Sequence, residues 1–454
     1  MEHNNSLDVF EKAPVLQAVL RNAVPAMAAM LMVLVYNLAD TFFIGQTHND
    51  ILVAAVSLAT PVFLIFMALG TVFGVGGTSV ISRALGEGRP EYAKRVCSFC
   101  MWSCVGVGLL LSAAFLLFMD QILALIGASS DTWEPAKTYL TIVAFGGPFV
   151  LISNCYSNII RAEGQPTKAM TGQLLGNLLN IVLDPLMILT FRWSIAGAAI
   201  ATVIGNVVGA GYYILYFLRG RSTLSIHMRD FSAKDGICGG VLAIGIPAAL
   251  GSLLMSVSQI IVNAQMANYD DMALAGMGVA MKVTMMTGMI CIGFAQGIQP
   301  LLGYCVGAKL WERFKKVMRF SLLFALGLSA VMTGLCYLLR SQIVGAFLTE
   351  PAAFDYAVRF TNILLTTSIL FGIFFVLNNA LQAAGAATQA LITNLSRQGI
   401  IYIPALFILQ AAFGVTGLAW AQPVADLLST ALVAVLYRRT TRKLMETASR
   451  ASEK

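Results

Sequence analysis

Apolar runs long enough to cross a membrane recur along the whole chain, separated by short polar turns. Residues 96–119 carry no charge, and 237–267 and 318–339 are nearly as clean. About 20 apolar residues cross the hydrocarbon layer as a helix. A spanning barrel would instead show alternating segments of about 10 residues, a pattern absent here. The runs predict twelve spans, at 15–44, 51–82, 93–118, 135–160, 168–190, 194–218, 238–267, 272–303, 314–338, 354–382, 388–410 and 414–436. Gly, Ser and Thr interrupt every span, as expected where helices pack closely in lipid. The predicted class is an all-α integral membrane protein.

The second half of the pattern repeats the first after about 221 residues. Leu85-Gly86 falls on Val306-Gly307, Lys94-Arg95 on Lys315-Lys316, and Ala162-Glu163-Gly164 on Ala383-Ala384-Gly385. At an offset of 220, Gly197 falls on Gly417 and Asn206 on Asp426, while Pro25 falls near Pro247. A unit of this length is too long for a solenoid repeat. It predicts two pseudo-symmetric lobes of six helices, the design of transporters that rock around a site. The expected divisions are a first lobe at 1–218, a solvated cytoplasmic linker at 219–236, a second lobe at 237–437 and a basic cytoplasmic tail at 438–454.

Composition agrees with the pattern. The chain of 454 residues is 58% hydrophobic and 11% charged, against about 25% charged in soluble proteins. A net charge of +7 would suit nucleic acid, but its distribution excludes that reading. With the N-terminus placed in the cytoplasm, 23 of the 29 Lys and Arg residues fall on the cytoplasmic side and 4 outside. That asymmetry is the positive-inside rule, and it predicts both termini in the cytoplasm and insertion in the inner membrane. No cleavable signal is expected, because residues 1–13 are polar and no short apolar core with a small-residue cleavage site follows. Cys97, Cys100 and Cys104 share one helical face, where small side chains help helices pack; no second Cys pair or nearby His supports a metal site. His3, His48 and His227 all lie outside the spans, which excludes a histidine proton relay in the membrane. The Gly-rich turns at 82–88 and 303–309 lack the Gly-Lys-Ser/Thr of a phosphate loop. Uphill transport would therefore draw on an ion gradient or the membrane potential, with no cofactor.

Ionisable groups inside spans are costly and point to function. Asp40, Asp184, Lys282 and Asp426 stand out, with Arg397 a fifth. Asn177, Asn180 and Asp184 follow an i, i+3, i+7 spacing that puts them on one helical face. Pro185 then leaves a carbonyl one turn back without its backbone donor. At 1.5 Å per residue, Asp184 lies about 12 Å below the outer end of its span, Asn180 about 18 Å, Thr202 about 15 Å and Asp40 about 9 Å. Four polar groups from three helices thus share one slab. Asn180 and Thr202 alone would be read as interhelical hydrogen-bonding groups; two carboxylates at that depth point to a site. Desolvation penalises their charged forms, and a proton or Na⁺ relieves the cost. Lys282, Arg397 and Asp426 fall at similar depth in the second lobe and are expected to form an ion pair or triad, structural or coupling. Pro25, Pro185 and Pro247 are expected to kink their helices.

The sequence resembles the multidrug and toxic compound extrusion (MATE) family of drug/cation antiporters. The likeness rests on the two six-span lobes, on Pro25 with residues 37–45, on Arg161-Ala162-Glu163-Gly164, on residues 177–185 and on residues 197–202. Composition is closest to the MepA-like multidrug branch. The resemblance implies a V-shaped bundle, open alternately to either side, that exports small amphipathic, often cationic drugs in exchange for Na⁺ or H⁺. The lipid bilayer is the expected surrounding partner, and a monomer the expected state. It also implies a cation or proton site in the first lobe at Asp40, Asn180, Asp184 and Thr202. Some relatives carry acidic residues in spans 7 and 10. Here those spans offer Gln259 and Asn378-Asn379. The alternative within transport is a flippase for lipid-linked saccharides, against which twelve spans and two buried acids speak. A receptor or scaffold would need a larger soluble domain than the tail supplies. The 21 Met residues suit adaptable packing surfaces without identifying a drug.

Overall fold

The computed structural model describes residues 2–46, 49–220 and 222–452; His48, named above, lies outside them. Helix makes up 89% of the protein, with no strand among the described residues. The long helices are α1 (Val15–Gly45), α2 (Asp50–Gly86), α3 (Pro90–Leu117), α4 (Ser130–Ala162), α5 (Pro166–Pro185), α6 (Ser194–Leu218) and α7 (Ile237–Ala267). They continue as α8 (Asp271–Gly307), α9 (Trp311–Phe347), α10 (Pro351–Ser368), α11 (Leu370–Ala383), α12 (Ala387–Leu395), α13 (Tyr402–Phe413) and α14 (Val415–Ser452). Eleven spans meet the length and apolarity of a membrane crossing, and α10 with α11, bent by 47°, supplies a twelfth. α12 and α13 form one span through a π turn at Ser396–Ile400.

Local chemistry sets the helix ends. Proline opens α3, α5 and α10, where the missing N–H has no helical partner to lose. Ser129 and Thr132 form a reciprocal capping box at the start of α4, and Asp270 caps α8 through the Met272 amide. The turn after α2 ends in left-handed backbone at Gly88 (φ 70°), and its repeat counterpart after α8 is Lys309 (φ 57°). Pro25 and Pro247 sit inside continuous helices. Pro185 ends α5 and leads into a π turn at Leu186–Thr190.

The chain divides into two compact units, but not where the linker predicts. One comprises Met1–Lys12 and Ala28–Gly245, the other Ala13–Met27 and Ile246–Lys454. The start of α7 packs within the first unit: a Cβ on Gly245 would sit 1.9 Å from the Val72 carbonyl oxygen, and one on Gly76 2.1 Å from that of Val241. The start of α1 packs within the second, with Gly297 against Ala23 and Arg313 donating to the Ala13 carbonyl at 2.8 Å.

Most described residues of the linker are exposed, but a few of them pack onto the first unit. Ser222 and Thr223 close onto Glu163, a buried carboxylate just past the end of α4. Glu163 accepts from the Ser222 hydroxyl at 2.8 Å, the Tyr216 hydroxyl at 3.2 Å, and the amide and hydroxyl of Thr223. Burial still pushes its carboxyl above the usual range, against the pull of these donors. Ser98 and Trp102 donate to the His227 and Ile226 carbonyls, and Phe231 stacks on Phe99. At the other end of the sequence, the predicted tail continues α14 without a break.

Large side chains fill the core of each unit. Phe66, Leu140, Leu151, Tyr156, Ile159 and Tyr213 are fully buried in the first, Phe294, Phe314 and Phe360 in the second. The buried phenols keep partners: Tyr156 donates to the Cys97 carbonyl at 2.8 Å and Tyr213 to that of Ala169 at 2.7 Å. Cys97, Cys100 and Cys104 are buried free thiols on α3. Among the described residues no group of three or more His, Cys, Asp or Glu is placed to hold a metal.

Candidate functional site

Two glycines draw α5 and α6 together. A Cβ on Gly176 would lie 2.6 Å from the Gly205 carbonyl oxygen, and one on Gly205 2.7 Å from that of Gly176. Contacts that short admit no side chain on either helix. They bring the next polar residues into register: the Asn180 amide donates to the Thr202 hydroxyl at 3.3 Å. Of the polar face expected on α5, Asn180 and Asp184 are buried and Asn177 is half-buried.

Asp184 is fully enclosed, and neither of its carboxylate oxygens has a hydrogen-bond partner among the described residues. The carbonyl oxygen of the Asn180 side chain, one turn below, is also unpartnered. Buried polar groups are nearly always satisfied in native proteins. Three bare oxygens on one helix face therefore mark a place where something else supplies the missing partners. Asp40, half-buried on α1, acts electrostatically on Asp184. The structure thus bonds Asn180 to Thr202 and sets Asp184 within the field of Asp40.

Two tyrosines that the sequence reading passed over join this group. Tyr36, one turn before Asp40 on α1, lies within electrostatic reach of both carboxylates. Tyr139 on α4 also feels both Asp40 and Asp184. The i, i+4 spacing of Tyr36 and Asp40 is visible in sequence; the approach of Tyr139 is not, because it depends on how α4 packs.

Below Asn180 and Thr202 a cavity of about 260 Å³ opens among α1, α2, α4, α5 and α6. Its polar lining comes from Tyr36, Asn37, Thr60, Ser153, Asn154, Ser157, Gln173, Asn177, Asn180, Thr202 and Asn206. No charged side chain lines it, and neither Asp40 nor Asp184 reaches it. The side-chain oxygen of Gln173 and nitrogen of Asn177 are buried without partners, as in a space that holds water.

In the second unit the expected pair or triad takes the form of a pair. Arg397 Nε donates to Asp426 Oδ1 at 2.9 Å, and both side chains are buried. Gln422 and Thr367 donate to the same carboxylate at 2.9 and 3.4 Å. Lys282 stands apart. It is exposed, with its ammonium 5.4 Å from the centre of the Phe347 ring.

Comparison with known proteins agrees with this architecture. The MatE family model matches residues 25–186 and 247–431. The chain is 33% identical over 437 residues to the "Multidrug export protein MepA" of Staphylococcus aureus, covering 95% of each. It is 32% identical over 425 residues to the protein of that name from Staphylococcus haemolyticus, covering 93% of each. A crystal structure of MATE in complex with MaL6 superposes with a TM-score of 0.92 at 23% identity, covering 97% of this chain and 99% of that one. An outward-facing multidrug resistance MATE family transporter of the MOP superfamily gives 0.90 at 24% identity, covering 94% and 96%.

Proposed function

The chain belongs to the MatE family, and from that premise we propose that it is a secondary active multidrug exporter, exchanging amphipathic, often cationic compounds for Na⁺ or H⁺ by alternating access. It is a multi-pass membrane transporter, not an enzyme. The MepA relatives named above carry multidrug export in their own names, and their similarity extends over nearly the whole chain. In this reading the protein sits in the inner membrane with both termini in the cytoplasm, works as a monomer and needs no cofactor.

The observation that carries the coupling assignment is Asp184, enclosed with both oxygens unpartnered beside the bare side-chain oxygen of Asn180. Such a carboxylate is stable only when it gains a proton or a cation. The Asp40 carboxylate, the Asn180 oxygen and the Thr202 hydroxyl are hard-oxygen donors of the kind alkali and alkaline-earth cations take. With two carboxylates, the group suits a monovalent ion or a proton. Loading it neutralises the repulsion between Asp40 and Asp184, and unloading restores it. That difference gives the ion unequal affinity for two arrangements of the helices, which is what coupling requires.

The test is ethidium efflux from cells under an imposed Na⁺ or H⁺ gradient, with wild type and Asp184→Asn. Loss of gradient-driven efflux in the variant is expected. Unchanged efflux would sink the coupling role.

A further inference from the structure

The two copies of the fold treat one equivalent place in opposite ways. In the first copy, Ser153, Asn154, Gly176 and Asn206 all line the 260 Å³ cavity. The repeat carries Ser153, Asn154 and Gly176 onto Phe374, Phe375 and Arg397 at an offset of 221, and Asn206 onto Asp426 at 220. These four are the residues that meet in the second copy. The Arg397 guanidinium carbon lies 4.8 Å from the centre of the Phe374 ring and 5.0 Å from those of Phe371 and Phe375. Its Nε is 2.9 Å from Asp426.

This arrangement has the parts of a receptor for a planar organic cation. Three aromatic faces supply quadrupole attraction, and a buried carboxylate, itself oriented by Gln422, supplies a charge-assisted hydrogen bond. The first copy holds neither the rings nor the charge at these positions. Backbone geometry points the same way. Gly176 sits in regular helix, whereas Arg397 sits in the π turn Ser396–Ile400. Such single-turn insertions in α-helices gather at functional sites.

We propose that the second copy retains a binding site for guanidinium-type organic cations, permanently occupied by the protein's own Arg397 side chain. Arg397 is a tethered ligand. While it is seated, this place is closed to free cations, whereas the equivalent positions of the first copy line an open cavity. Removing the tether without removing the carboxylate opens the site.

The experiment uses the full-length protein purified in detergent. Arg397→Ala is melted with and without millimolar methylguanidinium chloride, against equal concentrations of sodium chloride and of neutral urea. The variant melts below wild type, and methylguanidinium restores at least half of the loss while sodium chloride and urea restore none. Arg397→Ala with Asp426→Asn, lacking the carboxylate, gains nothing from methylguanidinium. An ordinary structural pair, sealed from solvent, would show no such recovery. Absence of recovery in folded Arg397→Ala, or equal recovery in the double variant, overturns the proposal. If Arg397→Ala does not fold, Arg397→Lys and Arg397→Gln decide. The cation-bearing Lys variant must melt clearly above the Gln variant, and equal melting overturns the proposal.

Discussion

Replacing Asp184 with Asn should make the protein more stable while removing its response to the coupling ion. Wild-type Asp184 is enclosed with two unpartnered oxygens. A buried group left without its hydrogen bonds costs about 1–3 kcal/mol, and a charged one more. Asn is nearly isosteric, so it introduces no cavity, and it removes both the charge and the repulsion from Asp40. The Asn amide is left unpartnered too, so the gain in the absence of coupling ion comes from the surplus cost of a charged over a neutral unsatisfied group, and a measurable rise in Tm is expected. The second half of the prediction is linkage. An ion that binds only the folded wild type stabilises it by about 2.7 kcal/mol at a hundred times its Kd. Melting curves at increasing Na⁺, and separately at decreasing pH, should therefore raise the wild-type Tm with at least one of the two ions. The Asp184→Asn Tm should stay flat with that ion. A variant that melts lower than wild type in its absence, or that keeps the same ion-dependent rise, refutes the reasoning.

Three further outcomes follow from the packing. Gly205→Ala places a Cβ 2.7 Å from the Gly176 carbonyl oxygen, so α5 and α6 must separate, at about 1–3 kcal/mol; thermal melting should show the loss and efflux should fall with it. Glu163→Gln should gain stability relative to wild type as pH rises. Burial raises the folded-state value of Glu163, so its contribution is full below the ordinary carboxylate range near 4.5 and is lost as pH climbs through the folded value; a gap constant with pH, or one that closes in the opposite direction, counts against this. Lys309→Gly should stabilise by about 1 kcal/mol, because Lys309 holds a left-handed backbone (φ 57°) that costs a side-chain-bearing residue about that much; an unchanged or lower Tm contradicts it.

Much of the fold was legible in the sequence because lipid imposes one rule on every span. Runs of apolar residues set the twelve crossings, and the Gly88–Lys309 correspondence reappears as matching backbone conformations. Other features depend on packing partners far along the chain. Nothing local to residues 237–245 says that they join the first unit; the contact of Gly245 with Val72 does. The linker reads as polar and solvated because its Ser and Thr residues look like loop composition, yet Ser222 and Thr223 are the donors that a buried Glu163 requires. The break between α10 and α11 at Ile369 carries no proline or glycine to announce it. At the site, helical spacing and depth put Asn180, Asp184 and Thr202 in one slab, and of these the Asn180 amide reaches the Thr202 hydroxyl. Depth alone could not separate Lys282 from Arg397 and Asp426, because it fixes height in the membrane and not the face of the helix. Lys282 points to a face where it meets Phe347, and the pair forms without it.

The account stands or falls on whether the first copy of the repeat carries the coupling. In proteoliposomes loaded with ethidium, Na⁺ and H⁺ movement can be counted against ethidium movement for wild type and Asp184→Asn. Wild type should move a fixed number of one of these ions for each ethidium, in the opposite direction. Asp184→Asn should move ethidium, if at all, with no accompanying ion. An unchanged ratio of ions to ethidium in the variant would contradict the central claim.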